Sequence, residues 1–372
     1  MNYTEIFSPD SLLGGGDSNP LMWLVWIVPI FIFMFYGQRI QLQITSGEIN
    51  KNIAKLKQFE TDSKTILLDY LKAMHASAAS SKKVDQFLEY FTIMPVDMDP
   101  SGIMPKIKHL VRSREDYTKA QVQTLYPNMD VIEVKKIQNM LEAVASLHLL
   151  HKIVRHLFLT AKRQNNFPLI LPLQMMMPFV MEQAEALKGA IPALKKGQPI
   201  GDGIGPMIVG KLMLETKKNL IALETVFSEK EYEQRKLVLL KAEGPAATVG
   251  RPGDAVDILI SKNKPSIIIM IDAALKMEGE ESGSVAQGFG AAIGGIGTDR
   301  YQIEEIATKN GIPVYAIVIK QSVKEAITLM SKEIAEKADE VELQLFQLIK
   351  DSTSPGDSVL IVGVGNTLGV PQ

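Results

Sequence analysis

The chain contains no cysteine, which removes disulfides, thiol nucleophiles, cysteine zinc sites and iron-sulfur clusters from consideration. Net charge is nearly absent as well, with 40 basic against 42 acidic side chains. No long basic block supplies locally the field that a balance of -2 fails to supply overall, so nucleic acid is excluded as a main partner. Aromatic residues make up only 6% of the chain, and histidines number five, none of them beyond His156. What is present is ample apolar material: 46% hydrophobic residues over 372 positions, enough for packed cores in two or three domains and incompatible with overall disorder.

The few aromatics crowd into Pro20 to Tyr36, PLMWLVWIVPIFIFMFY, seventeen residues without a charge that hold both tryptophans. That is the shortest length at which a helix spans a hydrocarbon core of roughly 30 Å. Residues 1–19 carry Glu5, Asp10 and Asp17 and no basic residue, whereas Arg39, Lys51, Lys55 and Lys57 follow the run. A secretory signal is therefore disfavoured. The expectation is an uncleaved single-pass anchor contacting membrane lipid, with residues 1–19 outside the cell and the remainder in the cytoplasm. A buried core helix is the alternative. A second apolar run, Phe167 to Met181, is interrupted by Pro168, Pro172 and Pro178 and reads as a buried or membrane-surface segment, with Met175 to Met177 as core filler.

Residues 37–197 read as an all-helical domain. Ile49, Ile53, Leu56 and Phe59, and again Val134, Ile137, Leu141 and Val144, recur at spacings of three and four, the period of a helix face. His148 and His151 lie one turn apart and could touch one metal ion, but no acidic partner at ligand spacing accompanies them. Beyond residue 197 the pattern changes. KLVLL (236–240), SIIIMI (266–271), VYAIVI (314–319) and VLIV (359–362) are short apolar runs typical of buried parallel strands. Helical patterns at 206–224, 253–261, 300–310 and 321–348 separate them. Residues 198–372 are therefore expected to form a doubly wound, mainly parallel α/β domain, with ligands bound beyond the carboxyl ends of the strands.

Four loops at such positions carry the candidate chemistry. Gly201 to Pro206 (GDGIGP) opens a helix with Asp202, as a cap or a catalytic acid. Gly244 to Asp254 places Asp254 at an expected cap. Asp272 ends the most hydrophobic strand, where a carboxylate is costly to bury unless it binds something. Gly363 to Gly369 (GVGNTLG) follows the last strand, and neither its spacing nor any following helix suits a dinucleotide, so no cofactor is expected. Between Asp272 and Asp299, seven glycines fall within Gly279 to Gly297. This stretch is either a loop admitting a peptide, with Ser282, Ser284 and Asn366 offering hydrogen bonds, or a plain connection. Asp299 reads as a helix cap, and the Glu278, Glu280 and Glu281 cluster as a solvated face.

The stretch VLIVGVGNTLG (359–369) resembles the opening strand and loop of hydrogenase maturation endopeptidases, and GDGIGP (201–206) resembles the acidic helix start that follows it in that family. KLVLLKAEGPA, GDAVDILIS and SIIIMIDAA continue in the same order. The strand-end Asp-Ala, together with ESGSVAQGFG (281–290) and GIPVYAIVI (311–319), is also similar to spore germination proteases. The resemblance covers about 170 residues and implies a phosphorylase/hydrolase-like fold, circularly permuted so that its first strand stands last. Chains whose termini lie close together tolerate such permutation. The whole chain also resembles an uncharacterised archaeal membrane protein family, which implies no activity.

Carried over, the resemblance makes Asp202 and Asp272 a catalytic pair; Gly203, Gly365, Ser284 and Asn366, in the glycine-rich loops, are the candidate substrate-binding positions. Its nickel-binding variant requires a histidine that is missing after residue 156, so no metal is expected. Two carboxylates that share a site split their pKa values and can serve as acid and base toward a peptide bond. The functional expectation is a membrane-anchored, two-aspartate peptidase acting on a protein or peptide. The alternative is a non-enzymatic membrane scaffold, or a module binding a peptide or small ligand, on the same fold.

Overall fold

A computed structural model of the chain describes residues 20–74, 80–89, 102–125, 129–164, 167–292 and 297–371. The expected extracytoplasmic tail, residues 1–19, lies outside the described residues. Five helices come first: α1 (Pro20–Ala73), α2 (Ser80–Leu88), α3 (Ile103–Leu125), α4 (Val131–Arg163) and α5 (Phe167–Lys196). A 3-10 turn, Gly201–Gly203, leads into α6 (Ile204–Leu212), followed by β1 (Asn219–Ala222), β2 (Thr225–Tyr232) and β3 (Arg235–Ala242). Then come α7 (Pro252–Lys262), β4 (Ile267–Leu275), β5 (Val285–Phe289), α8 (Thr298–Asn310), β6 (Val314–Gln321), α9 (Val323–Ile327), α10 (Lys332–Ser352) and β7 (Ser358–Gly363).

Two compact units result. One comprises residues 1–54 and 154–177, and the other residues 55–153 and 178–372. In the first, Ile49, Ile53, Phe158, Ile170, Leu173 and Met177 are buried, and Gln174 donates from Nε2 to Glu48 Oε2 at 2.9 Å. Here the membrane expectation is corrected. Among the described residues no helix is long and apolar enough to cross a membrane, so neither the single span nor the orientation built on it stands. The apolar run is the opening third of a 54-residue helix with Pro29 inside it, and the helix continues without a break into the charged segment that was expected to lie past the interface. Met175 and Met176 are exposed, and only Met177 fills core. The run from Phe167 is thus the opening half of α5, with Ile170, Leu173 and Met177 buried and Leu169, Leu171 and Phe179 exposed.

The second unit holds the sheet, in the order β1-β2-β3-β7-β4-β6-β5. The four central strands run parallel, with β7 paired to both β3 and β4, while β1, β2 and β5 join antiparallel. The expected class is therefore corrected again: the chain is mainly helical, and its sheet is mixed rather than mainly parallel. The span expected as a helix at 206–224 ends at Leu212 and gives way to the β1-β2 hairpin. Strand alternation explains the layering. Leu237, Leu239, Ile269, Ile271, Val359 and Ile361 face α6 and α10, while Val238, Leu240, Ile268, Met270, Leu360 and Val362 face α7 and α8.

Local chemistry agrees with this packing. In α10, Ser331 Oγ accepts the Ile334 N–H at the N-cap, and Ile334, Ala338, Val341, Leu345 and Ile349 form its buried stripe. Each large aliphatic residue there contributes about 1.5–3 kcal/mol by leaving water. α9 begins with a Ser322/Glu325 capping box, and α8 ends at Gly311 in the left-handed conformation. In the same unit, α1 to α5 pack a helical core that also takes in Ile200, Ala247 and Leu368, residues from the loops at the carboxyl ends of the parallel strands.

Candidate functional site

Those loops meet where β3, β7 and β4 end. The turn before α6 is pressed onto the sheet at Gly205, where an added methyl group would come within 2.4 Å of both Ile271 O and Val364 O. Only glycine permits that approach. Gly365 has φ +135, and a methyl group there would lie 1.9 Å from Asp202 O; one on Gly203 would lie 2.8 Å from Asn366 O. The glycines expected to receive substrate thus serve first to let two backbone segments touch. Asp202 Oδ2 accepts the Asn366 N–H at 2.7 Å. Burial raises the Asp202 carboxyl above its usual pKa, and this one hydrogen bond only partly opposes the rise.

The loop after β7 is stitched to the loop after β3. Thr367, fully buried, has its Oγ1 within 2.7 Å of Ala246 O, 2.9 Å of Glu243 O and 3.0 Å of Thr248 O, and its N–H donates to Thr248 O at 2.9 Å. Asn366 Oδ1 accepts the Leu368 N–H at 2.9 Å, and its Nδ2 donates to Asn139 Oδ1 at 3.3 Å. Asn139, on α4, in turn donates to Ala247 O at 3.0 Å. Helical and α/β segments far apart in sequence are joined here by amide-to-amide contacts.

Beside this junction lies a cavity of about 390 Å³, walled by α3, α4, the β1-β2 turn, the loop after β3 and Asn366. Its charges are mostly paired. Lys135 Nζ lies 2.7 Å from Glu224 Oε2, which also accepts from Thr248 Oγ1; Arg114 pairs with Glu142 and Arg251 with Glu115. Burial alone would raise Glu224, but the hydrogen bonds from Lys135 and Thr248, with the charge of Lys119, hold it below its usual value. Glu224 is thus an ionised anchor rather than a base. Glu142 moves the opposite way, because burial outweighs the Arg114 charge.

Of the residues expected at the site, the fold brings together Asp202, Gly203, Gly365 and Asn366. Asp272 is buried at the end of β4, next to the Ile271 carbonyl against which Gly205 packs, and its Oδ1 accepts the Ala273 N–H at 2.7 Å. Neither aspartate lines the cavity. Ser284 lies apart, flanking β5 at the opposite edge of the sheet, with its carbonyl accepting the Lys320 N–H. Ser282 donates to Glu325 at 2.9 Å. Asp254 and Asp299 are not helix caps: Arg251 and Gly297 hold those positions. Asp254 pairs with Lys108 at 2.7 Å and with Arg112, and Asp299 accepts the Gly253 N–H at 3.2 Å.

Among the described residues no group of three or more histidine, aspartate or glutamate side chains is placed to hold a metal ion. His148 and His151 do have an acidic partner, in Glu60 at 3.0 and 2.8 Å, and it was unreadable from spacing because it lies on α1. The cavity residues of α3 and α4 were equally invisible, since each has the appearance of an ordinary polar helix position.

Two family profiles cover this chain. Residues 23–197 match the Protein of unknown function (DUF1512) N-terminal domain, and residues 200–371 match the Domain of unknown function (DUF1512) C-terminal. The chain belongs to the DUF1512 family. A search of curated proteins returned no match. In DUF1512 terms, the cavity is built from both halves: α3 and α4 fall in the N-terminal match, and the loops after β3 and β7 fall in the C-terminal one.

Proposed function

We propose that this DUF1512 protein is a peptide-binding module built on a peptidase-like fold. The observation that carries this reading is Asn366: it lines the cavity while its main-chain N–H holds the Asp202 carboxylate. The loop that resembles the opening loop of a peptidase therefore borders a pocket, while Asp202 is engaged by that loop's own N–H and Asp272 is buried. Cavities of a few hundred Å³ with a handful of polar groups are the usual form of a ligand site. Asn139 and Asn366 present amides, which match peptide groups in both donor and acceptor character.

The test is equilibrium binding of an arrayed tripeptide set to the full chain, with mass spectrometry of the same mixtures. Binding without cleavage, weakened at least tenfold by Asn139→Ala, is the expected result. Failure of every peptide to bind removes the reading.

One observation favours a second reading, two-aspartate hydrolysis. β7 lies between β3 and β4, and Asn366 lies against Gly203, the arrangement that a circularly permuted peptidase domain requires. Asp202, with its raised pKa, would be the acid and Asp272 the base. Cleavage of any peptide that Asp272→Asn abolishes, in a chain that keeps its fold, moves the assignment to this reading.

A further inference from the structure

Gln138 is 8% exposed and lines the cavity, yet its amide makes no hydrogen bond among the described residues. Its amide is therefore open to a ligand that offers both a donor and an acceptor. Lys119, also in the lining, makes no ion pair among the described residues, although its charge acts on Glu224. Glu224 already holds Lys135. Two ammonium groups thus share one carboxylate, while Arg114 and Arg251 are each matched by a glutamate. Asp116, the remaining charged residue of the lining, is exposed. The lining is balanced in charge, and Lys119 is its one cation without a carboxylate of its own among the described residues.

We propose that the cavity takes the C-terminal end of a peptide chain, with Lys119 receiving the terminal carboxylate and Gln138 the last peptide group. Leu110, Val111, Leu223 and Val249 supply an apolar wall suited to aliphatic side chains and unsuited to inorganic phosphate. Phosphate sites also draw on free guanidinium groups, and both arginines here are engaged. The inference rests on the peptide-binding reading and adds which part of the peptide is recognised.

Calorimetry on the full chain with the tripeptide Ala-Ala-Leu, its C-terminal amide and inorganic phosphate separates the two claims. The free acid should bind at least tenfold more tightly than the amide, and phosphate should not bind. Lys119→Met should abolish the preference for the acid, Lys119→Arg should keep it, and Gln138→Leu should weaken acid and amide alike. Equal binding of acid and amide overturns the carboxylate assignment and leaves peptide binding standing. Binding of phosphate alone, or of none of the three, overturns both. Should a variant fail to fold by circular dichroism, the acid-against-amide comparison on the unaltered chain decides.

Discussion

Among the described residues Lys241 is the largest of the fully buried side chains, only 1% exposed near the end of β3. Its Nζ donates to Ala242 O at 3.1 Å, and its Cε packs 3.3 Å from the position a methyl group would take on Gly210 of α6. Burial, reinforced by the charge of Lys218 and opposed by Glu243, lowers its pKa from 10.5 to about 8. At about 1.4 kcal/mol per pH unit this corresponds to roughly 3 kcal/mol of destabilisation at neutral pH. The sign follows from proton counting: between the two values the unfolded chain binds more protons than the folded one, so stability rises with pH across that window.

Lys241→Met keeps the stem and removes the charge. It should raise stability at pH 7 by roughly 2–3 kcal/mol, or about 1 M in the urea midpoint. The advantage should shrink by about 2 kcal/mol between pH 8 and 10. The quantity to read is the difference between variant and unaltered chain at each pH, because other lysines then cancel. Far-UV circular dichroism is the suitable probe, since both tryptophans, Trp23 and Trp26, lie in the other unit. A variant less stable at pH 7, or a difference that does not narrow as pH rises, refutes the reasoning.

Asp202→Asn retains an oxygen for the Asn366 N–H and removes a charge that the site disfavours, so stability at pH 7 should hold or rise; Asp202→Ala leaves that N–H unmet and should cost about 1–3 kcal/mol, both measured by urea titration. Glu60 lies below 4.5: burial would raise its pKa, but hydrogen bonds from His148 and Lys57 outweigh it. The stability it contributes is present above 4.5 and is lost as pH falls through its lower folded value, so Glu60→Gln should lower stability at pH 7 and flatten the acid limb of a pH-stability curve. Gly365→Ala sets a methyl group against Asp202 O at a positive φ, and limited proteolysis should find the loop after β7 newly cleavable, with stability lowered by more than about 3 kcal/mol.

The strands β3, β4, β6 and β7 were legible because a strand covered on both faces reads as one continuous apolar run. The β1-β2 hairpin was not. β2 exposes Glu229, Lys230 and Glu231, and the turns use Glu224, Glu233 and Gln234 at positive φ, where asparagine and glycine are the usual signals. β5 is an edge strand hidden in a glycine-rich stretch. At the site, Asp202 and Asn366 were legible as motif residues, but their roles were not: Asp202 faces a neighbouring N–H, and Asn366 faces the cavity. Gln138 and Lys119 carry no local signature, because what distinguishes each is the lack of a partner, a property only packing confers. The apolar run after Pro20 misled because length and hydropathy do not reveal that its helix runs on to Ala73.

The place of β7 also governs how the domain assembles. It is the last strand in chain order yet the centre of the sheet, pairing with residues such as Leu237 and Ile267 that precede it by about a hundred positions. Until it arrives, β3 and β4 have no bond between them and each presents an open edge. Closure must therefore wait for contacts of long sequence separation, which makes the final step slow and leaves the half-built sheet the species most exposed to mispairing.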